Sequence, residues 1–275
     1  MNYFKTFLLM TGLTLLFMFI GNYFGGAQGM TYALIFAVGM NFISYWFSDK
    51  IVLAMYGAKP INRSQAPGIY KSLERLSNNA GIPVPKLYLV NNPMPNAFAT
   101  GRNPENGVVA ITTGIMDILD ERELEAVLAH ELSHIKNRDI LIQTVAASIA
   151  GAITLLARFA FFFGGSRDNN SNPIALIAML ILAPLAAILV QMAISRSREY
   201  GADNGAAKLT GRPQDLVSAL EKLHASVKRS RVQPQAEPAT AHMFIVNPFK
   251  GDFIATMFST HPSLAQRKAN LLGQR

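Results

Sequence analysis

Four long apolar runs constrain the fold of this chain more than any other feature. They cover about residues 6–24, 30–47, 140–163 and 174–194, and the first contains no charged residue. Each run is close to the roughly 20 residues that a helix needs to cross a bilayer, where every backbone polar group must be bonded internally. Half of the 275 residues are apolar and only 15% are charged. The sequence therefore predicts four membrane-spanning helices.

The first run has an alternative interpretation as a cleaved secretory signal peptide. Such peptides carry a basic segment and then only about 7–15 apolar residues. Here the run is longer and Lys5 alone precedes it. We therefore predict a retained signal anchor, paired with the second run in an N-terminal transmembrane hairpin over residues 1–48.

The basic residues predict an orientation. Connections 25–29 and 164–173 carry no excess of Lys and Arg, whereas basic residues flank the runs on their other side: Lys5, Lys50, Lys136, Arg138, Arg196 and Arg198. Basic flanks face the cytoplasm, so both termini are expected there. They also account for the net charge of +8. Because no stripe of basic and aromatic residues is present, nucleic-acid binding is not expected.

The non-membrane parts, residues 49–139 and 195–275, flank a second transmembrane hairpin over residues 140–194. Residues 66–80 have helical periodicity, and residues 83–90, 96–101 and 108–112 have strand character. We therefore predict a mainly α membrane protein with four transmembrane helices and a cytoplasmic α+β domain carrying a small β-sheet.

A metal-binding pattern, His-Glu-x-x-His, lies in the first of these parts. Residues four apart share one face of a helix, so His130 and His134 can reach one metal ion while Glu131 acts as a general base. Asp120 and Glu123 form a capping-box pattern at the start of this helix. Because the chain has no cysteine, further ligands must be histidine or carboxylate. A catalytic zinc ion takes three protein ligands.

Glu199 is the best-placed third ligand. His134 lies six residues before the third run and Glu199 five residues after the fourth. If both helices run directly into these spans, the two side chains stand roughly 7–9 Å above the membrane. Asp203, one turn further on, is then expected to receive a ring proton from a ligand histidine. The alternative is a solvent-exposed Glu199 that pairs with Arg196 or Arg198.

The motifs His-Glu-Leu-Ser-His-Ile-Lys-Asn-Arg-Asp and Ser-Arg-Ser-Arg-Glu-Tyr-Gly-Ala-Asp, with the arrangement of spans, resemble those of the HtpX-type membrane metalloproteases, relatives of the CAAX prenyl proteases. The resemblance implies a zincin-like protease domain with one zinc ion per chain, held by His130, His134 and Glu199, and with Glu131 catalytic. It implies a bacterial inner-membrane endopeptidase that cleaves unfolded, damaged or misassembled membrane proteins in quality control and stress response.

Two further stretches carry the resemblance. Asn96, Ala97, Phe98 and Ala99 resemble the family's substrate-binding strand above the zinc cleft. Thr260-His261-Pro262 with Arg267 resembles a C-terminal element whose side chains approach the site. His261 is the candidate partner of the reaction's oxyanion, and its alternative role is a turn residue before Pro262. Residues 230–248, rich in proline and polar residues, are predicted to form a flexible loop.

Two other functional classes compete with a protease. A transporter would place its site near the bilayer midplane, yet the candidate ligands lie outside the apolar runs. A membrane adaptor with a structural zinc ion would need four protein ligands, and no fourth is evident.

Overall fold

The computed structural model describes residues 2–147, 149, 196–229, 244–245 and 262–273. His261, the fourth predicted span, most of the third, and all of the predicted loop except residues 244–245 lie outside this part of the chain.

The N-terminal helix α1 (Asn2–Met55) is folded into a hairpin by a break at Gly26, whose φ of 57° favours glycine. Asn41 joins the two arms, since its Nδ2 donates to the carbonyl of Met10 (3.3 Å) and to Oγ1 of Thr14 (2.9 Å). Both arms are long and apolar enough to cross a membrane. Only 18% of the most apolar stretch of the first arm and 11% of that of the second is buried inside the protein. The second arm continues to Met55, well beyond the apolar run.

A four-stranded sheet follows, formed by β1 (Lys59–Pro60), β2 (Lys86–Val90), β3 (Ala97–Thr100) and β4 (Val108–Thr112). The strand order is β1-β2-β4-β3; β2 and β4 are parallel and the other two pairs are antiparallel. All three predicted extended segments are confirmed as strands. The first begins only at Lys86, because the preceding Pro85 has no N–H to donate.

The sheet separates two apolar layers because strand side chains alternate between its faces. One face packs on the main helical core and includes Leu87, Ala97, Ala99, Val109 and Ile111. The other face packs against the end of α1 and the start of the third predicted span, through Phe98, Val108, Ala110, Val52, Leu53 and Ala147. The end of the N-terminal hairpin is therefore packed directly on the sheet.

The described chain also contains the α-helices α2 (Pro67–Ala80), α3 (Thr113–Ile118), α4 (Glu121–Lys136), α5 (Arg196–Thr210), α6 (Pro213–Arg229) and α7 (Leu264–Leu271). Helix α4 is central and packs against α2, β3, α5 and α6. Residues 123–135 of α4 are all buried.

The start of α4 confirms the predicted capping box. Oδ1 of Asp120 accepts the N–H groups of Arg122 and Glu123, each at 2.9 Å, and Oε2 of Glu123 accepts the N–H of Asp120. The cap satisfies donors that would otherwise be unpaired at the helix start.

The end of α4 differs from expectation. The helix does not continue into the third span, because Arg138 adopts a left-handed conformation with φ of 59°. A new helical stretch over residues 140–147 is packed inside the protein. Within it, Oγ1 of Thr144 accepts the N–H of Gly101 at 3.3 Å. The expectation of a straight run from the histidine helix into the third span was wrong.

Candidate metal centre

Helices α4 and α5 bring His130, His134 and Glu199 together in the interior. One nitrogen or oxygen atom from each side chain lies within 4.8 Å of the others. Nε2 of His130 is 3.8 Å from Oε2 of Glu199, and Nε2 of His134 is 3.6 Å from Oε1. Each of the three residues is at most 4% exposed. One ion between them can contact all three side chains.

Close packing of α4 on α5 creates this arrangement. A Cβ atom at Gly205 would collide with the hydroxyl of Ser133, and the neighbouring Ala202 and Ala206 are fully or almost fully buried. Small residues therefore let the backbone of α5 approach α4. Because Glu199 is buried against the histidines, a solvent-exposed Glu199 is excluded.

The Nδ1 atom of His130 faces Asp203, with 3.0 Å to Oδ1. Arg267 donates from Nε and Nη2 to the two oxygens of Asp203, at 2.9 and 2.6 Å. Burial alone would raise the pKa of Asp203, but Arg267 and His130 outweigh it and hold this pKa below its usual range. Asp203 therefore stays ionised and can accept the ring proton, which leaves Nε2 of His130 free for a ligand.

The Nδ1 atom of His134 faces a different carboxylate, Asp139, whose Oδ2 is 3.1 Å away. The guanidinium of Arg198 is also buried; burial lowers its pKa, and the charges of Asp139 and Glu199 partly oppose that effect. The sequence alone did not predict that Asp139 contacts His134 or that Arg198 is buried near Asp139 and Glu199. One indication was the position of Asp139, immediately after the basic end of the histidine helix.

Glu131 lies beside the three clustered side chains and is itself buried. Burial and the charge of Glu199 raise the pKa of its carboxyl, while His130, His134 and a hydrogen bond from the N–H of Ala99 act in the opposite direction; the pKa is raised overall. A buried carboxyl group with a raised pKa is well suited to take up and release a proton.

Among the described strands, β3 lies at one edge of the sheet, and the N–H of Ala99 donates a hydrogen bond to this carboxyl group. The carbonyl of Asn96 accepts the N–H of Thr112 at 2.9 Å, and partners then alternate along the antiparallel pair. The N–H and C=O groups of Ala97 and Ala99 therefore point away from β4. The side chain of Asn96 accepts the N–H of Ile245 at 3.1 Å, and Nη1 of Arg267 donates to the carbonyl of Ile245 at 3.3 Å.

The charges of the buried site fit a divalent cation. Among the described residues, the site contains four buried carboxylates, one of them in the cluster itself, and two buried guanidinium groups: Glu131, Asp139, Glu199, Asp203, Arg198 and Arg267. With both imidazoles neutral, as metal ligation requires, and all four carboxylates ionised, two negative charges remain uncompensated, which is unfavourable in a buried region. A divalent metal ion held by the two imidazoles and Glu199 would neutralise them.

A model of peptidase family M48 matches residues 63–275. The chain belongs to peptidase family M48. It is 54% identical over 274 residues to a protease HtpX homolog of Ralstonia pickettii, covering 98% of this chain and 96% of the relative. A homolog of the same name from Paraburkholderia phytofirmans is 55% identical over 276 residues, with the same coverage. The predicted family is confirmed, and this M48 protein is a membrane metalloprotease.

The M48 chain also resembles the crystal structure of S. mikatae Ste24p, with a TM-score of 0.53 and 20% identity. The match covers 95% of this chain and 62% of the Ste24p chain. At this identity the likeness concerns the fold.

Proposed function

We propose that this protein is a zinc-dependent endopeptidase of the bacterial inner membrane that hydrolyses cytoplasmic segments of misfolded or damaged membrane proteins. The observation that carries the proposal is the cluster of His130, His134 and Glu199 within 4.8 Å, with the buried carboxyl group of Glu131 beside it.

In this proposal His130, His134 and Glu199 hold one zinc ion per chain. Two imidazoles and a carboxylate are ligands that zinc prefers, and three protein ligands leave a position open for chemistry. When bound, zinc lowers the pKa of water and polarises the scissile carbonyl group.

Glu131 is the proposed general base. Its carboxylate takes a proton from the attacking water and passes it to the leaving amine. Burial favours this cycle because it raises the pKa of the carboxyl group, and the N–H of Ala99 helps to hold the side chain in place. Glu131 neighbours the ligands without being one of the three clustered side chains.

The C-terminal element completes the proposed site. Arg267 holds Asp203 against His130, and its Nη1 lies 3.9 Å from Oε2 of Glu199. His261 is proposed to stabilise the oxyanion of the transition state. That role rests on the resemblance of the Thr260-His261-Pro262 motif.

Strand β3, preceded by Asn96, is the proposed substrate-binding edge. An extended peptide can add to such an edge through main-chain hydrogen bonds. The outward groups of Ala97 and the outward carbonyl of Ala99 are suitably directed, and the N–H of Ala99 is hydrogen-bonded to Glu131. Since main-chain pairing reads little of the sequence, it suits an enzyme that removes many different damaged proteins.

Cleavage is proposed to occur close to the membrane surface. The guanidinium of Arg102 lies 4.6 Å from the ring centre of Trp46, near the end of the apolar part of α1. Aromatic and basic side chains are typical of the membrane interface. Ala99 and Arg102 are separated by at most about 11 Å of backbone. We therefore propose cleavage in loops, tails and unfolded juxtamembrane segments. The apolar runs and their basic flanks support the accompanying proposal of four spans with cytoplasmic termini.

Digestion of casein by the detergent-purified protein tests the proposed function. We expect cleavage that is abolished by a chelator and restored by zinc. Glu131→Gln is the matched control: it should bind about one zinc ion per chain and lose about 10²–10⁴-fold in activity. Zinc binding without cleavage by the native protein would instead indicate a non-proteolytic metal role.

A second measurement tests where cleavage occurs. Mass spectrometry of a reconstituted membrane substrate should find cuts in cytoplasmic juxtamembrane segments, because an intact transmembrane helix satisfies its own backbone. Dominant cuts in the middle of a span would contradict the proposed location.

A further inference from the structure

The turn that ends α4 brings Asp139 against His134. The N–H of Asp139 donates to the carbonyl of His134 (2.9 Å), and the N–H of Arg138 donates to the carbonyl of Ile135 (3.0 Å). Together with the left-handed Arg138, this pair of bonds is the Schellman motif of helix ends. The motif places the residue after the left-handed position beside the residue five positions earlier.

An uninterrupted helix could not make this contact. Residues five apart lie about 140° from each other around a helix, so their side chains point in different directions. The contact between the side chains of Asp139 and His134, at 3.1 Å, therefore depends on the turn.

The residue types in this turn are unusual. The left-handed position is commonly glycine, and the two side chains that the motif brings together are commonly apolar. This chain has Arg138 at the left-handed position, a conformation that residues other than glycine rarely adopt. The side chains brought together are a carboxylate and an imidazole, both almost fully buried.

We infer that Asp139 is a positioning residue for the metal site: it fixes the ring orientation of His134 by accepting its Nδ1 proton, so that Nε2 faces Glu199. The inference rests on the proposed metal role of His134. The distances support it, since Nδ1 faces Asp139 while Nε2 of the same ring is 3.6 Å from Oε1 of Glu199.

The buried charge of Arg198 fits this role. Its guanidinium interacts electrostatically with both Asp139 and Glu199. It therefore places a positive charge near Asp139, which faces Nδ1 of His134, and near Glu199, which faces Nε2 of the same ring. Arg267 has the corresponding place beside Asp203 and Glu199.

Zinc affinity, measured by competition with a chelator, tests the inference. Asp139→Asn keeps the size of the side chain but loses its charge, and we expect zinc to bind about 10–100-fold more weakly. Asp139→Glu restores a carboxylate on a longer arm and should recover part of this loss. The melting temperature of the metal-free protein is measured in parallel, because a positioning role predicts little change there.

Arg138→Gly is the matched control in the same turn. Glycine adopts the left-handed conformation without strain, and the side chain of Arg138 is exposed. Zinc affinity should remain that of the native protein, and the metal-free protein should melt at the same or a higher temperature.

Three results would overturn the inference: native zinc affinity in Asp139→Asn, no recovery in Asp139→Glu, or an Asp139→Asn protein that does not fold. The last would make Asp139 a residue that the fold itself needs. His134→Gln separates this inference from the proposed function. If His134→Gln binds zinc as tightly as the native protein, the metal role of His134 fails. If it loses zinc while Asp139→Asn does not, only the positioning role fails.

Discussion

The two histidines of the metal centre have equivalent supports that are built in different ways. Each Nδ1 atom faces an aspartate, and each aspartate is close to a buried arginine. For His130, the aspartate lies on α5 and the arginine on α7, 137 residues away from the histidine. For His134, the aspartate lies five residues away in the turn that ends the same helix. The contact between His130 and its aspartate therefore joins two helices, whereas the contact between His134 and its aspartate lies within the end of one helix, beside Arg198 of α5.

The difference predicts how each support responds to damage. The contact between His134 and Asp139 needs only the end of α4, whereas the contact of His130 with Asp203 and Arg267 needs α5 and α7 in place. Changes that loosen the packing of α7 should therefore weaken the support of His130 first.

Glu199 should give the largest effect because it lies against both histidines. We expect Glu199→Ala to lower zinc occupancy well below one ion per chain and to abolish proteolysis, since a catalytic zinc ion needs its third protein ligand. Metal analysis of the purified variant and a casein assay measure the two effects. Full zinc occupancy would show that Glu199 is not a ligand.

Asp203→Ala should give a smaller loss, confined to the support of His130. We expect roughly 10–100-fold lower zinc affinity or activity, as is typical when the hydrogen-bond partner of a metal ligand is removed. It should also lower the free energy of unfolding by about 3–5 kcal/mol, because Arg267 is left buried without its partner.

The double variant Asp203→Ala with Arg267→Met tests this explanation of the stability loss. It should regain part of the stability, since the unpaired charge is gone, but none of the zinc affinity. If removing Arg267 brings back no stability, the ion pair is not the cause.

The pH dependence of the metal-free protein should distinguish the two supports. Burial alone would lower the pKa of His134 from its ordinary 6.5, but Asp139, Glu199 and Glu131 raise it to about 9. Because the folded protein binds this proton more tightly than the unfolded chain does, protonated His134 contributes fully to stability below pH 6.5, and this contribution is lost as the pH rises through about 9. The melting temperature of the metal-free protein should therefore decrease as the pH is raised from 6.5 to about 9.

Asp139→Asn should flatten this decrease, because the hydrogen bond that His134 donates to Asp139 is the largest contribution that raises the pKa of His134. Asp203→Asn should leave it nearly unchanged, because Asp203 is not among the groups that act on His134. Equal flattening in both variants would mean that the two supports are not independent.

The smallest effect is expected at the edge of β3, which lies outside both supports. Ala97→Pro removes an outward N–H, which an edge strand tolerates, and should raise KM for peptides while zinc affinity stays native. Ala99→Pro should instead lower kcat, since the N–H of Ala99 is bonded to Glu131.

Phe98→Pro is the control for both, because the strand register directs the N–H of Phe98 to β4, so its loss should destabilise the sheet. Unchanged peptide kinetics in both alanine variants would contradict substrate binding at this edge.

Local sequence patterns were sufficient for α4 and for the three strands. The capping pair Asp120 and Glu123 and the four-residue spacing of His130 and His134 depend only on helical geometry, so they could be read directly. Glu199 could be proposed because its expected height above the membrane matches that of His134. In the structure Glu199 reaches the histidines for a different reason. Helix α4 ends before the third span, and Gly205 lets the backbone of α5 approach α4 closely.

The sequence by itself determined which side chains can form a metal site and which segments are apolar enough to enter a membrane, because both depend on residue type and short-range periodicity. Only the tertiary structure decided how those side chains are oriented and charged. Arg267 reaches Asp203 across 64 residues, and the N–H of Ala99 reaches Glu131 from a strand edge. Even the local contact of Asp139 with His134 was hidden, because it depends on a left-handed Arg138 where the motif commonly has glycine. Contacts of this kind arise from how the backbone packs and turns, which the spacing of residues along a helix does not reveal.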